Sequence, residues 1–383
     1  MRNLTFLFLI SISFYVKAQN FYYPAKNAEW KELSPDFFGI NNLKLDNVIS
    51  FALSNEYSGD SDLRIAILKG FAREPFHKIL GPTKKRGGPA GIILKNGYII
   101  GKWGDLDRVD MTFSVTKSYL SSLAGIAYDK GLIPNLDQKL SEVIWDNTFK
   151  GSHNQNITWS HLLNQSSDWS GELWGIYDWG DRPITKSIDS MRNRKLNKPG
   201  SHYKYNDVRV NVLAYSLLNV FREPLPKVLK NNIMNEIGAS TTWRWYGYDN
   251  SWVNIDGQWV QSVSGGGHSG GGIFINTLDH ARFGLLFLSN GNWNGKQILS
   301  KEFIKKAISP SETNPNYGYM WWLNNPDGKR FFNKIPSNIF YASGFGGNYI
   351  IIVPDENLVV VTRWLEPKKL QGFMNKLFEA IKK

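Results

Sequence analysis

A serine and a lysine three positions apart, Ser114 and Lys117, open an apolar helix in the run Phe113-Ser114-Val115-Thr116-Lys117-Ser118. A serine hydroxyl is a weak nucleophile until a neighbour takes or stabilises its proton. Residues at i and i+3 share a helix face, so the lysine amine reaches that hydroxyl. For helix stability alone the lysine is badly placed. The first turn carries partial positive charge and prefers acids, and a capping box would set Glu or Gln at position 117. The same spacing recurs at Ser201 and Lys204, but that copy follows Pro199-Gly200 and reads as a loop. A rival serine lies in Gly267-His268-Ser269-Gly270-Gly271, which has the Gly-x-Ser-x-Gly form of a nucleophile elbow. That motif needs a strand before it and an acid and a histidine after it. Here only His280 follows, so Ser269 reads as part of the glycine-rich loop Gly265–Gly272, where backbones approach closely. No HExxH, Cys/His or Walker pattern occurs, and neither a metal nor a cofactor is expected.

The elements around the pair are legible from periodicity. Val115, Tyr119, Leu120, Leu123, Ala124 and Ile126 form one face of a helix over Ser114–Leu132, which Lys130-Gly131 ends. Before it, Asn96-Gly97 joins Ala90–Lys95 to Tyr98–Trp103 as a hairpin. Upstream, the pattern predicts a helix over Leu43–Ser54 and a strand over Leu63–Lys69. Helical spacing marks Ile157–Leu163, Val208–Val220 and Thr277–Ser289. Residues 243–264 read as a tryptophan-rich hairpin turning at Asp256-Gly257. A last hairpin, Tyr349–Val353 with Leu358–Trp364, precedes a terminal helix with Leu370, Phe373, Met374, Leu377, Phe378 and Ile381 on one face. Strands at both ends and helices between them give an α+β class, an α/β/α sandwich. One antiparallel sheet is built from both termini and flanked by helices, with a mainly helical subdomain inserted over about 135–240. The cleft between sheet and subdomain is the natural site.

Bulk properties narrow the function. Leu4–Val16 after Arg2, with Val16-Lys17-Ala18 before Gln19, reads as a signal peptide over residues 1–18, cut after Ala18. The protein is then expected in the periplasm or outside the cell. Residues 19–85 form an aromatic-rich leader and 86–383 the main domain. The chain has no cysteine, hence no disulfides, and must rely on its core. Its 45 basic and 33 acidic residues give a net charge of +12, but no long basic run, so a nucleic-acid partner is not expected. Nor is stable membrane insertion; the expected partner is a small ester or amide, and the oligomeric state stays open.

Ser114-x-x-Lys117 resembles one element of the penicillin-recognising serine enzymes, in the branch near class C β-lactamases that also holds esterases, D-amino-acid peptidases and amide-oligomer hydrolases. The likeness covers most of residues 86–383. Ile157–Leu163 before Ser167 looks like that family's helix after the nucleophile. Pro199-Gly200-Ser201-His202-Tyr203-Lys204-Tyr205-Asn206-Asp207 is similar to its Pro-Gly-x-x-Phe-x-Tyr-Ser-Asn stretch. Gly344-Phe345-Gly346-Gly347-Asn348-Tyr349 looks like its Lys-Thr-Gly strand.

The resemblance implies an acylated Ser114, an activating Lys117 and Tyr205 as base or proton relay, with Tyr203 a weaker match for that role. The backbone N–H groups of Ser114 and of the strand around Asn348 would form the oxyanion hole. Two departures refine this. Asp207 replaces the family's asparagine, and a carboxylate there favours a charged Lys117. Phe345-Gly346-Gly347 stands for Lys-Thr-Gly, setting a ring where a cation would bind a substrate carboxylate. Neutral acyl substrates are therefore expected over β-lactams. The alternatives are a cell-wall D-peptidase or β-lactamase, or a catalytically silent module that binds wall fragments.

Overall fold

Runs such as Tyr349–Val353 and Leu358–Val361 are apolar at every position, which calls for strands covered on both faces. In the computed structural model, which describes residues 21–381 apart from 27, 326, 329 and 334, they are neighbours in a six-stranded antiparallel sheet. Its order is Trp322–Leu323, Phe340–Gly344, Asn348–Val353, Leu358–Arg363, Ala90–Lys95, Tyr98–Trp103. The two termini therefore meet where Ile92 pairs with Val361. Side chains alternate across the pleat. Ile92, Leu94, Ile350, Ile352, Val359 and Val361 join a core shared with helices Thr116–Asp129 and Thr277–Leu288. Ile93, Ile351, Val353 and Val360 join another, shared with Asn42–Ser54 and Leu370–Ile381. This is the helix-flanked antiparallel sheet expected from the sequence.

A second sheet carries Ser114. Its four strands run in the order Asp110–Met111, Gly272–Ile275, Arg244–Ile255, Gln258–Val263. The first of these leads directly into Ser114. Buried Arg363 ties the two sheets together: it donates to Asn348 Oδ1 at 2.7 Å and to the carbonyls of Ile275, Asp110 and Met111 at 2.8–3.1 Å.

Two expectations fail. Leu63–Gly70 is a helix, capped by Asp62, with Leu63, Ala66 and Ile67 buried. Its buried residues fall at i, i+3 and i+4, while Ile65 and Leu68 stay exposed, so the packing follows a helical period that the near-continuous apolar run conceals. Phe345-Gly346-Gly347 is not a strand but the turn between Phe340–Gly344 and Asn348–Val353. Gly346 and Gly347 have φ of 78° and 82°, in the left-handed region that only glycine enters freely. The residues expected to form a signal peptide lie outside those described. Among the described residues no helix is long and apolar enough to cross a membrane.

A Cβ on Gly347 would overlap the Leu365 carbonyl as well as force a strained φ. Gly347→Ala is expected to lower stability by about 2 kcal/mol or more, measured by urea unfolding.

Candidate active site

Ser114 sits in a 3-10 turn, Phe113–Val115, that runs into helix Thr116–Asp129. Phe113 holds φ at 49°, a strained value for a buried aromatic residue. Neighbouring hydrogen bonds maintain it. Thr112 N–H donates to Ile273 O at 2.9 Å, and Ile273 N–H donates to Thr116 Oγ1 at 3.1 Å. The Thr112 and Tyr119 hydroxyls hold the two ring nitrogens of His280 at 2.7 and 2.9 Å. Burial and then Arg363 keep His280 well below its ordinary titration range, so it is a neutral core residue. It has no bond to Ser269, whose carbonyl instead accepts from Leu80 and Gly81 N–H. Ser269 is thus part of a packed loop, as expected.

Lys117 is almost wholly buried and donates to Ser114 Oγ at 2.8 Å and to Asp207 Oδ1 at 2.5 Å. Burial opposes its charge, but Asp207 and then Tyr205 outweigh that, and the ammonium is held above its usual range. Asp207 is the first residue of helix Asp207–Phe221, where the backbone dipole favours an anion. Arg182 Nη1 lies 2.7 Å from its second oxygen and His268 Nδ1 lies 3.4 Å from it. Arg182 also pairs with Asp181 at 2.5 Å, and Asp181 accepts from the Asp207 N–H. Burial alone would raise the Asp207 carboxyl; Lys117, Arg182 and His268 instead hold it well below the usual carboxylate range. Overhead runs the glycine loop. A Cβ on Gly266 would overlap both the Asp207 carboxylate and the Lys117 ammonium.

Tyr205 meets this cluster through its ring. Lys117 Nζ stands 4.7 Å and the Arg182 guanidinium 5.0 Å from the centroid, and Trp322 stacks on it at 5.8 Å. Its hydroxyl makes no hydrogen bond to Ser114 or Lys117 in this arrangement. Tyr203 packs on Tyr317 outside the cavity, and burial pushes its hydroxyl far up. Ser201 is exposed and donates to Lys198 O, away from Lys204.

Ser114 opens into a cavity of about 340 Å³ that Tyr205, Arg182, Ser343, Gly344, Phe345 and Gly346 help line. Phe345 forms an aromatic wall with Phe113, Phe71 and Tyr57, at ring separations of 5.1, 6.0 and 5.7 Å. Gly347 and Asn348 are not on that surface. The Asn348 side chain is fully buried, donating to Phe345 O at 2.7 Å and accepting from Arg363. It fastens the turn. The strand residues facing Ser114 are Ser343 and Gly344, which supply the hydroxyl and glycine of Thr-Gly better than Gly346-Gly347 do. The lysine position of that triplet then falls on uncharged Ala342.

Sequence reasoning missed Arg182, Asp181, Glu74 and Phe71. The acids and imidazoles of Glu74, His77 and His268, and of Asp181, Asp207 and His268, are metal-ligand types lying close together. Each carboxylate among them is already matched by Lys117, Arg182 or His268, so no excess negative charge invites a cation.

A family model described as Beta-lactamase matches residues 107–363. The chain belongs to that family, the serine hydrolases of β-lactamase, esterase and penicillin-binding-protein type. An uncharacterized protein of Alkalihalophilus pseudofirmus is 25% identical over 281 residues, 68% of this chain and 74% of its own length. Among solved structures, an octameric penicillin-binding protein homologue from Pyrococcus abyssi superposes with a TM-score of 0.57 at 15% identity, over 88% of this chain and 77% of the other. EstCE1, a hydrolase with promiscuous acyltransferase activity, gives 0.56 at 14% identity, over 88% and 99%. At these identities the likeness is one of fold.

Removing the Asp207 charge leaves buried cations without their partner. Asp207→Asn is expected to cost about 3–5 kcal/mol of stability at neutral pH. Because the folded carboxyl titrates below its unfolded value of about 4, its contribution is full above that pH and is lost as pH falls through the lower, folded value. The gap between mutant and wild type should therefore narrow in acid, read by urea unfolding at neutral and acid pH.

Proposed function

We propose that the protein is an esterase- or amidase-like enzyme that forms an acyl intermediate on Ser114 and acts on neutral acyl substrates. The observation that carries this is the Lys117 ammonium bonded to Ser114 Oγ at the floor of an aromatic-walled cavity. Ser114 Oγ attacks the substrate carbonyl. A charged Lys117 has no room for the serine proton, so Tyr205, whose ring stands beside that ammonium, relays it to the leaving group. The oxyanion is received by backbone N–H groups of Ser114 and of the strand end at Gly344–Phe345, rather than near Asn348; such donors are worth about 3 kcal/mol each. Water then releases the acid.

Arg182 is the one lysine or arginine on the cavity wall among the described residues, and Asp181 and Asp207 already occupy it. The cations there are matched by Asp181, Asp207 and Glu74, so no excess positive charge draws a substrate carboxylate, while Phe71, Phe113 and Phe345 offer apolar contact. This supports an ester or amide over a β-lactam or a peptide carboxylate. The bond between Lys117 and Ser114 speaks against a silent binding module. The apolar run Leu4–Val16 ending at Ala18 supports action outside the cytoplasm.

Ser114→Ala should reduce p-nitrophenyl ester turnover by about 10⁴-fold or more. Undiminished turnover removes the assignment. Wild-type kcat/KM for nitrocefin should fall about 10²-fold below that for a short-chain ester, since no cation pairs with its carboxylate; equal or faster nitrocefin turnover contradicts the substrate class.

A further inference from the structure

The family match begins at residue 107, yet the charged site is completed from before it. Glu74 Oε2 lies 2.5 Å from His268 Nε2, and His268 Nδ1 lies 3.4 Å from Asp207 Oδ2. With Lys117 these contacts form one line, Glu74–His268–Asp207–Lys117–Ser114. The side chains of His268 and Glu74 are only 3% and 7% exposed. Nε2 is hydrogen-bonded to Glu74, while Nδ1 meets Asp207 at ion-pair distance only; an imidazolium turns an N–H toward each carboxylate, a neutral imidazole toward only one.

We infer that Glu74 is a positioning residue for the reaction: it keeps His268 doubly protonated, so that His268 and Arg182 hold one oxygen of Asp207 while the other holds Lys117 against Ser114. This rests on the reading of Ser114 as nucleophile. The surroundings of His268 agree. Glu74 and Asp207 touch it, a carboxylate oxygen of Asp181 lies within 4.8 Å of one ring nitrogen, and Arg182 and Lys117 reach it through Asp207. The Phe71 ring packs on it at 3.9 Å. His77, with its ring 5.1 Å away and Nε2 3.1 Å from the His268 carbonyl, is held below its ordinary range by burial and by His268 itself. Burial would strip the His268 proton, but Asp181, Asp207 and Glu74 together raise it to about 9. Around Ser114 the three cations Lys117, Arg182 and His268 balance Asp181, Asp207 and Glu74. Loss of the His268 proton makes the cluster one unit more negative, which disfavours the substrate oxyanion.

The test is ring-nitrogen NMR of His268 in the full chain, alongside the pH dependence of kcat/KM for a p-nitrophenyl ester. In the wild type both nitrogens should stay protonated through about pH 8, and the rate should decline as that proton leaves near pH 9. In Glu74→Gln the ring midpoint and the alkaline decline should both move down by about one pH unit or more. An unmoved midpoint, or a rate loss uniform across pH, overturns the inference. So does a wild-type ring that deprotonates below about pH 7. If Glu74→Gln does not fold, His268→Gln serves: it should lack the decline near pH 9, and its persistence overturns the inference. Fluorophosphonate labelling of Ser114 in the same sample reports separately on the nucleophile. Failure there with an intact imidazolium removes the functional reading and leaves the Glu74–His268 contact standing.

Discussion

The ion pair between Lys117 and Asp207 is the constraint around which the site is organised. Both groups are shielded from water, and each buried charge carries a desolvation penalty of several kcal/mol. Their attraction offsets this only when the remaining oxygen and protons are also satisfied. Arg182 and His268 set positive charge 2.7 and 3.4 Å from the second Asp207 oxygen, Ser114 Oγ accepts a hydrogen bond from Lys117, and the start of helix Asp207–Phe221 favours the carboxylate. The exchange of an asparagine for Asp207 therefore changes more than one side chain. It sits within a balanced set of three acids and three bases, two of which, Glu74 and Asp181, come from segments on opposite sides of helix Thr116–Asp129 in the chain.

The rest of the fold can be understood as support for that pair. The short strand Asp110–Met111 ends in a strained turn that lifts Ser114 out of the sheet, and Arg363 clamps that strand to the main sheet. The glycine loop lies over the pair at a distance no side chain allows. The turn Phe345–Gly347 brings a ring, not a cation, over the cavity. In the proposed reaction the ammonium fixed against the serine supplies charge stabilisation, and the aromatic wall favours substrates that bring no charge of their own.

Much of this was legible in the sequence because it is local. The Ser114/Lys117 spacing, the Asn96-Gly97 hairpin and the doubly apolar strands each depend on neighbours within a few positions. Asp207 was readable as a departure from a pattern, and its effect on Lys117 follows from charge alone. The failures have a different origin. Leu63–Gly70 was too short for composition to separate helix from strand. Phe345-Gly346-Gly347 resembles a strand triplet in sequence, but the strand ends at Gly344 and two left-handed glycines follow. Glu74, Asp181 and Arg182 left no local trace; they are brought to the site by long-range packing. His268 stands in view within the glycine loop, but the carboxylates that favour its charge come from distant segments.

The most direct measurement is the mass of the enzyme trapped during turnover. Acid-quenched enzyme reacting with a slowly released p-nitrophenyl ester should gain the mass of one acyl group, and peptide mapping should place it on Ser114. Full turnover with no added mass, or an acyl group on Ser269 or any other residue, would contradict the account.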